Sequence, residues 1–241
     1  MSATTILELR HAECETPGSY LPSMSAVAEV VTVRAWRDPL PTDPTAFDAI
    51  VAMGGPMGAD DGPALPWIDD EITFLRAAIA HDVPIWGVCL GSQLLAVALG
   101  AQITAAPAPE LGVAAVTLTE EGCDDPVWGF GDAAFPALHW HFDTFTLPPG
   151  ATLLATTPDC PHQLFRHGSH YGIQFHLEVD APMVAQWLDD EGNLRELEEA
   201  AGSGAAARMT DDVTRIAPVT EPMAAAAMRH WLDAFVAQSP I

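Results

Sequence analysis

The stretch Pro84-Ile85-Trp86-Gly87-Val88-Cys89-Leu90-Gly91-Ser92-Gln93-Leu94-Leu95 decides how the chain is read. An apolar strand, Val83–Val88, runs through Gly-x-Cys-x-Gly directly into a helix, Leu90–Leu99, which Gly100 closes. Such a turn forces the central residue into a strained backbone conformation. Side chains two positions before and after it would clash, hence the paired glycines. It also lifts the Cys89 sulfur above the sheet at a helix N-terminus, where the dipole and free N–H groups favour a thiolate. The N–H of Leu90 is then placed to stabilise an oxyanion. A lone cysteine is usually a small buried hydrophobe; strand, glycines and helix together point instead to a nucleophile.

Working outward, the N-terminal hundred residues alternate between strand and helix. Ile6–Arg10, Glu29–Arg34 and Phe47–Met53 read as strands, and Pro17–Ala28 and Pro66–His81 as helices, the latter with Ile68, Ile72, Leu75, Ala78 and Ile79 at helical spacing. Continuous apolar strands between helices imply parallel strands buried on both faces. The expected fold is α/β, a three-layer α/β/α sandwich around a mostly parallel sheet, with its ligand site at the carboxyl ends of the strands. Farther on, Val113–Thr119, Ala137–Phe142, Leu153–Thr156, Gln163–Arg166 and Tyr171–Phe175 read as short strands, and Ala181–Asp189 as a helix. Residues 1–189 are expected to form one domain and 190–241 a helical extension. Within the extension, Glu191–Arg215 reads as an exposed helix or flexible linker, and Pro222–Ala237 as an amphipathic helix carrying Met228, Trp231, Leu232 and Phe235.

A nucleophilic cysteine needs a base. In Tyr171-Gly172-Ile173-Gln174-Phe175-His176-Leu177-Glu178 an apolar strand delivers His176 to the same edge of the sheet, and Glu178 is spaced to orient the imidazole and stabilise its cation. His139, His141 and Asp143 alternate and would share one face of a strand, a spacing to weigh as a metal site. His162, His167 and His170 fall in a turn-rich hairpin and are expected to be solvated. Cys14, Cys123 and Cys160 have no such turn around them and make no CxxC pair, so neither a zinc ribbon nor a disulfide framework is expected.

Composition narrows the function classes. The 241 residues carry 9 Lys+Arg, all arginine, against 33 Asp+Glu, a formal net charge of −24. Nothing in that balance suits nucleic acid or an anionic membrane, and the missing lysine excludes Schiff-base chemistry and a phosphate-loop lysine. The acidity reads as a solvated surface, with a salt-rich habitat or an acidic face for a basic partner as the other readings. No apolar run reaches the roughly 18 residues of a membrane span, and Met1–Thr5 lacks the basic start of a signal peptide, so the cytoplasm is the expected compartment.

In order along the chain, Met-Gly-Gly-Pro-Met-Gly (53–58), Gly-Val-Cys-Leu-Gly-Ser-Gln-Leu-Leu (87–95) and Gln-Phe-His-Leu-Glu (174–178) resemble the class I, or triad, glutamine amidotransferase domain. The likeness spans roughly Ile6 to Leu188. Pro66-Trp67 and the stretch His139–Gly150 make it most similar to stand-alone relatives of the GMP synthase amidotransferase domain. The resemblance implies a flavodoxin-like fold and a γ-glutamyl thioester on Cys89, with His176 and Glu178 completing a triad. It also implies a second oxyanion N–H from Gly55, and contacts from Gln93 to the amino-acid end of the substrate. Glu110-Leu111-Gly112 is a looser match to the loop that holds that end, implicating Leu111 and Gly112. His141 and Asp143 become walls of the glutamine pocket rather than metal ligands. No metal or cofactor is implied. Leu177 replaces the family's usual proline, and Ser92 stands where His or Ala is common. The Arg10–Tyr20 loop has no close match; it follows the first strand at the active edge and is placed to shape substrate choice. The substrate is then glutamine or another γ-glutamyl small molecule. With no synthetase domain or P-loop in the sequence, the expectation is either an ammonia donor to a separate synthase subunit or a free-standing γ-glutamyl hydrolase. A non-catalytic homologue is the third option.

Overall fold

The computed structural model describes residues 4–236. In chain order they form β1 (Thr5–Arg10), α1 (Leu21–Val27), β2 (Glu29–Arg34), β3 (Ala49–Ala52), α2 (Pro66–Ala80), β4 (Ile85–Val88), α3 (Leu90–Ala98), β5 (Ile103–Leu118), α4 (Glu120–Cys123), β6 (Ala134–Phe145), β7 (Thr152–Thr156), β8 (Leu164–His167), β9 (His170–Ile173), α5 (Ala181–Leu188), α6 (Glu191–Ala201) and α7 (Ala205–Phe235). The sheet runs β2-β1-β3-β4-β9-β8-β7-β5-β6. Its first five strands are parallel, and the remaining pairings are antiparallel. The α/β sandwich is therefore present, with a parallel half that carries the nucleophile turn and an antiparallel half that closes it.

The strand sequences explain the layers. Ile6, Ala49, Val51, Trp86 and Val88 point to one face, where they pack with Tyr20 and Met24 and with Met228, Trp231 and Leu232 of α7. Leu7, Leu9, Ile50, Ala52 and Ile85 point to the other, against Ile68, Ile72 and Leu75 of α2 and Leu94 and Leu95 of α3. This is the period-two alternation of a strand whose two faces are both covered. Trp86 and Trp231 have ring centroids 5.5 Å apart, and the Trp231 indole N–H donates to the Ser169 carbonyl at 2.9 Å. Each such side chain removed from water contributes about 2–3 kcal/mol.

Four local readings change. Glu191–Arg215 is neither a linker nor a wholly exposed helix: it forms α6 and the start of α7, burying Leu197, Met209 and Val213. Its many alanines hid this, because small residues carry little hydrophobic signal yet let a helix approach closely. Helix α7 runs unbroken through Pro218 and Pro222 to Phe235; Ala237 lies outside the described residues. The Val113–Thr119 strand is only the far part of the long β5, whose register with β6 shifts between Ala105 and Glu110. His170, expected to be solvated, is buried, and burial pushes its pKa down to about 4. No helix among the described residues is long and apolar enough to cross a membrane.

Candidate active site

Neighbouring parallel strands β4 and β9 end together, and each releases one side chain of the site. Trp86, Gly87 and Val88 pair with Tyr171, Gly172 and Ile173. The Cys89 N–H donates to the Ile173 carbonyl at 2.7 Å. Cys89 then sits at φ 49°, ψ −108°, as the residue before helix α3. Left-handed backbone at a cysteine is strained, and it persists only because the surroundings fix it. The glycines are what permit it. A Cβ on Gly91 would lie 2.1 Å from the Ala52 carbonyl oxygen, and one on Gly87 would lie 2.6 Å from the Gly91 oxygen. The Gly91 N–H donates to the Met53 carbonyl at 3.0 Å, so the turn is tied to the end of β3.

His176 lies three residues beyond β9, held by a two-way backbone bridge to Leu138 of β6: its N–H donates at 2.8 Å, and the Leu138 N–H returns at 3.1 Å. Its Nδ1 is 2.7 Å from Oε1 of Glu178, which is fully buried. Burial opposes the imidazolium, yet Glu178 and the Cys89 sulfur outweigh it and hold the pKa well above the ordinary 6.5. Trp187 packs edge-on against the ring at 5.1 Å.

The cavity around these groups measures about 260 Å³. It is lined by Gly55, Cys89, Leu90, Gln93, His141, Asp143 and His176, all of them candidates on sequence grounds. Gly55 must be glycine here, because a Cβ would come within 2.7 Å of His11 Cβ and 3.0 Å of Leu90 Cδ2. Gln93 donates to Gln174 Oε1 at 3.2 Å, and Gln174 in turn donates to the Cys89 sulfur at 3.7 Å. Leu111 and Gly112 do not line the cavity. They lie on β5 opposite Trp140 and His139, and Leu111 packs with Met183 and Val184 of α5 in the cluster under α6 and α7.

Glu110, His139 and His141 bring one ligand atom each within 4.8 Å of one another, a donor set that could hold a divalent cation. Within it Glu110 is tied to protein neighbours, while neither ring nitrogen of buried His139 has a hydrogen-bond partner among the described residues. Glu110 Oε2 is 2.9 Å from His141 Nε2, and Glu110 accepts from Thr157 at 2.5 Å and from Gln163. Burial pushes His139 down to about 4, leaving it neutral.

Two residues of the Arg10–Tyr20 loop reach the centre. Buried His11 contacts the Met53 and Gly54 carbonyls at 2.8 and 3.1 Å through Nδ1, and Glu71 at 3.0 Å through Nε2, which fixes the Gly54-Gly55 turn. Burial opposes its charge, but Glu71 raises its pKa nonetheless. Glu15 lines the cavity itself. Trp187, Asn193 and Glu196 also line it, brought over the site by α5 and α6. None belongs to a recognisable motif; for His11 and Glu15 the one available signal was their place just after a strand, at the carboxyl edge.

The sequence profile of the class-I glutamine amidotransferases matches residues 22–189. The chain belongs to that family. It is 32% identical over 198 residues to the glutamine amidotransferase-like protein YfeJ of Salmonella typhimurium, covering 80% of this chain and 82% of that one. It is 29% identical over 160 residues to a glutamine-hydrolyzing GMP synthase subunit of Ignicoccus hospitalis, covering 65% and 80%. A glutamine amidotransferase structure from Thermotoga maritima superposes with a TM-score of 0.85 at 26% identity over 98% of this chain and 99% of that one. One from Methylobacillus flagellatus gives 0.86 at 27% identity over 97% and 96%. The protein is thus a glutamine amidotransferase enzyme with the class I fold.

Proposed function

We propose that this amidotransferase hydrolyses the γ-amide of glutamine through a thioester on Cys89. The observation that carries the reading is the strained Cys89 at the head of α3, beside a His176 whose far nitrogen is held by a buried carboxylate. His176 takes the thiol proton as the sulfur attacks the amide carbon. It returns that proton to the nitrogen as the C–N bond breaks, releasing ammonia. Water then attacks the thioester with the same base, giving glutamate and restoring the thiol. Glu178 keeps the ring in the tautomer that presents a bare Nε2 to the thiol and stabilises the cation formed on transfer. The N–H of Leu90, in the first turn of α3 and without an intrahelical acceptor, and that of Gly55 support the oxyanion. Gln93 and Asp143 face the amino-acid end of the substrate.

The likeness to the Ignicoccus GMP synthase subunit supports a role as ammonia donor to a separate synthase subunit. The test is glutamate release from glutamine by the wild type and by Cys89→Ala. Loss of at least about 10³-fold in the variant is expected for a covalent nucleophile; release by the variant at wild-type rate refutes the thioester.

A further inference from the structure

Glu15 stands in the active site without a role in the reaction above. Its carboxyl group is buried, and Oε2 has no hydrogen-bond partner among the described residues. Such a group is normally satisfied; unpartnered in a residue that lines the cavity, it marks a place for a donor that arrives with the substrate. Its location says which part of the substrate. Glu15 Oε2 and His176 Cε1 flank Gly54, 2.7 and 3.3 Å from the point where a Cβ on that glycine would lie. The departing nitrogen must lie against His176, because that ring protonates it. Glu15 therefore borders the leaving-group side of the site.

Apart from the imidazoles of His141 and His176, the other ionisable side chains facing a leaving group are acidic. Asp143 and Glu196 line the cavity with Glu15, and among the described residues no arginine does. Asp143 is raised above its ordinary pKa by burial and by the nearby Asp60 and Asp61. The α-ammonium and α-carboxylate are common to every γ-glutamyl substrate and cancel in a comparison. Only the charge of the leaving group differs, and it meets Glu15.

We propose that Glu15 is the specificity residue for the leaving group: its unpartnered Oε2 accepts an N–H from the departing nitrogen, so the site takes γ-glutamyl amides of ammonia or of amines bearing a positive charge, and rejects γ-glutamyl peptides whose leaving amino acid bears a carboxylate. This rests on the amidohydrolase reading. Bond making and breaking are unchanged: sulfur–carbon forms, carbon–nitrogen breaks, and His176 carries the proton. Glu15 contributes only a hydrogen bond and its charge.

The test compares glutamine, γ-glutamyl-(2-aminoethyl)amide, neutral γ-glutamylethylamide and γ-glutamylglycine. Turnover is measured at about pH 8, above the raised pKa of Glu15, on the wild type, Glu15→Gln and Glu15→Asp, and binding of the same compounds on Cys89→Ala by calorimetry. The aminoethyl amide should exceed γ-glutamylglycine by about tenfold or more in kcat/KM and in affinity, as expected for opposed charges in a partly buried pocket. Glu15→Gln should narrow that ratio several-fold, with Glu15→Asp in between. Equal or better use of γ-glutamylglycine, or a ratio that Glu15→Gln leaves unchanged, overturns the proposal. If no compound is turned over, the amidohydrolase reading falls, while the binding order on Cys89→Ala still decides the role of Glu15.

Discussion

A buried Glu15 carboxyl without a partner should destabilise the empty enzyme by an amount that its displaced pKa fixes. Burial pushes its pKa from the ordinary 4.5 up to about 7, partly opposed by His176 and reinforced by Glu178, with His11 also facing it. Between those two values the folded protein keeps a proton that the unfolded chain has released. Stability therefore falls as pH rises from 4.5 through about 7, and stays lowered above that. A displacement of this size corresponds to about 3 kcal/mol at about 1.4 kcal/mol per pKa unit. Glu15→Gln keeps the shape and removes the titration. The variant should match the wild type near pH 4 and exceed it by about 3 kcal/mol near pH 8, roughly 10 °C in Tm for a chain of this length. Thermal midpoints of both proteins across that range provide the measurement. His11, His176 and Glu178 are present in both and largely cancel in the difference. Parallel curves, or a variant less stable near pH 8, would refute the account of Glu15 as a buried, unsatisfied carboxylate.

Two further outcomes follow from the geometry around the turn. Glu178→Gln would place an N–H donor 2.7 Å from His176 Nδ1, where Oε1 now accepts; the ring's proton would move to Nε2, which could no longer take the thiol proton, and kcat for glutamine should fall about 10³–10⁴-fold with the fold intact. A loss under about tenfold would show that Glu178 does not set the tautomer. Gly91→Ala would drive a Cβ to 2.1 Å from the Ala52 oxygen and 2.6 Å from its carbon, both backbone atoms that cannot rotate away. A loss of about 3 kcal/mol or more is expected from urea denaturation, and an unchanged midpoint would contradict the packing argument.

The pieces that were legible in the sequence are those whose cause is local. Gly-x-Cys-x-Gly after an apolar strand is dictated by contacts within a few residues and the strand beside them, so Cys89, Gly87, Gly91 and α3 could be read directly. Gly55, Gln93, His176 and Glu178 came through ordered motifs, and all but Glu178 line the cavity while Glu178 stands behind His176. Leu111 and Gly112 were drawn in by a loose match and lie on β5, beside the cavity-lining strand β6 but not among the lining residues. The Ala-rich start of α7 was illegible for the opposite reason: its burial depends on close approach to α5, β5 and β6, which small side chains allow but do not announce.

The sequence by itself determined the candidate nucleophile, its base and the alternation of apolar residues that buries a parallel sheet on both faces, because each is a short-range consequence of residue type and spacing. Only the tertiary structure decided what surrounds the nucleophile. Glu15 follows β1, Asp143 lies on β6, and Trp187, Asn193 and Glu196 come from α5 and the start of α6, far apart along the chain. No periodicity links them. They meet because β1, β4 and β9 end on one edge, β6 is bridged to His176 at Leu138, and α6 packs across the opening. The charge that the leaving group encounters is set by that meeting, not by any motif.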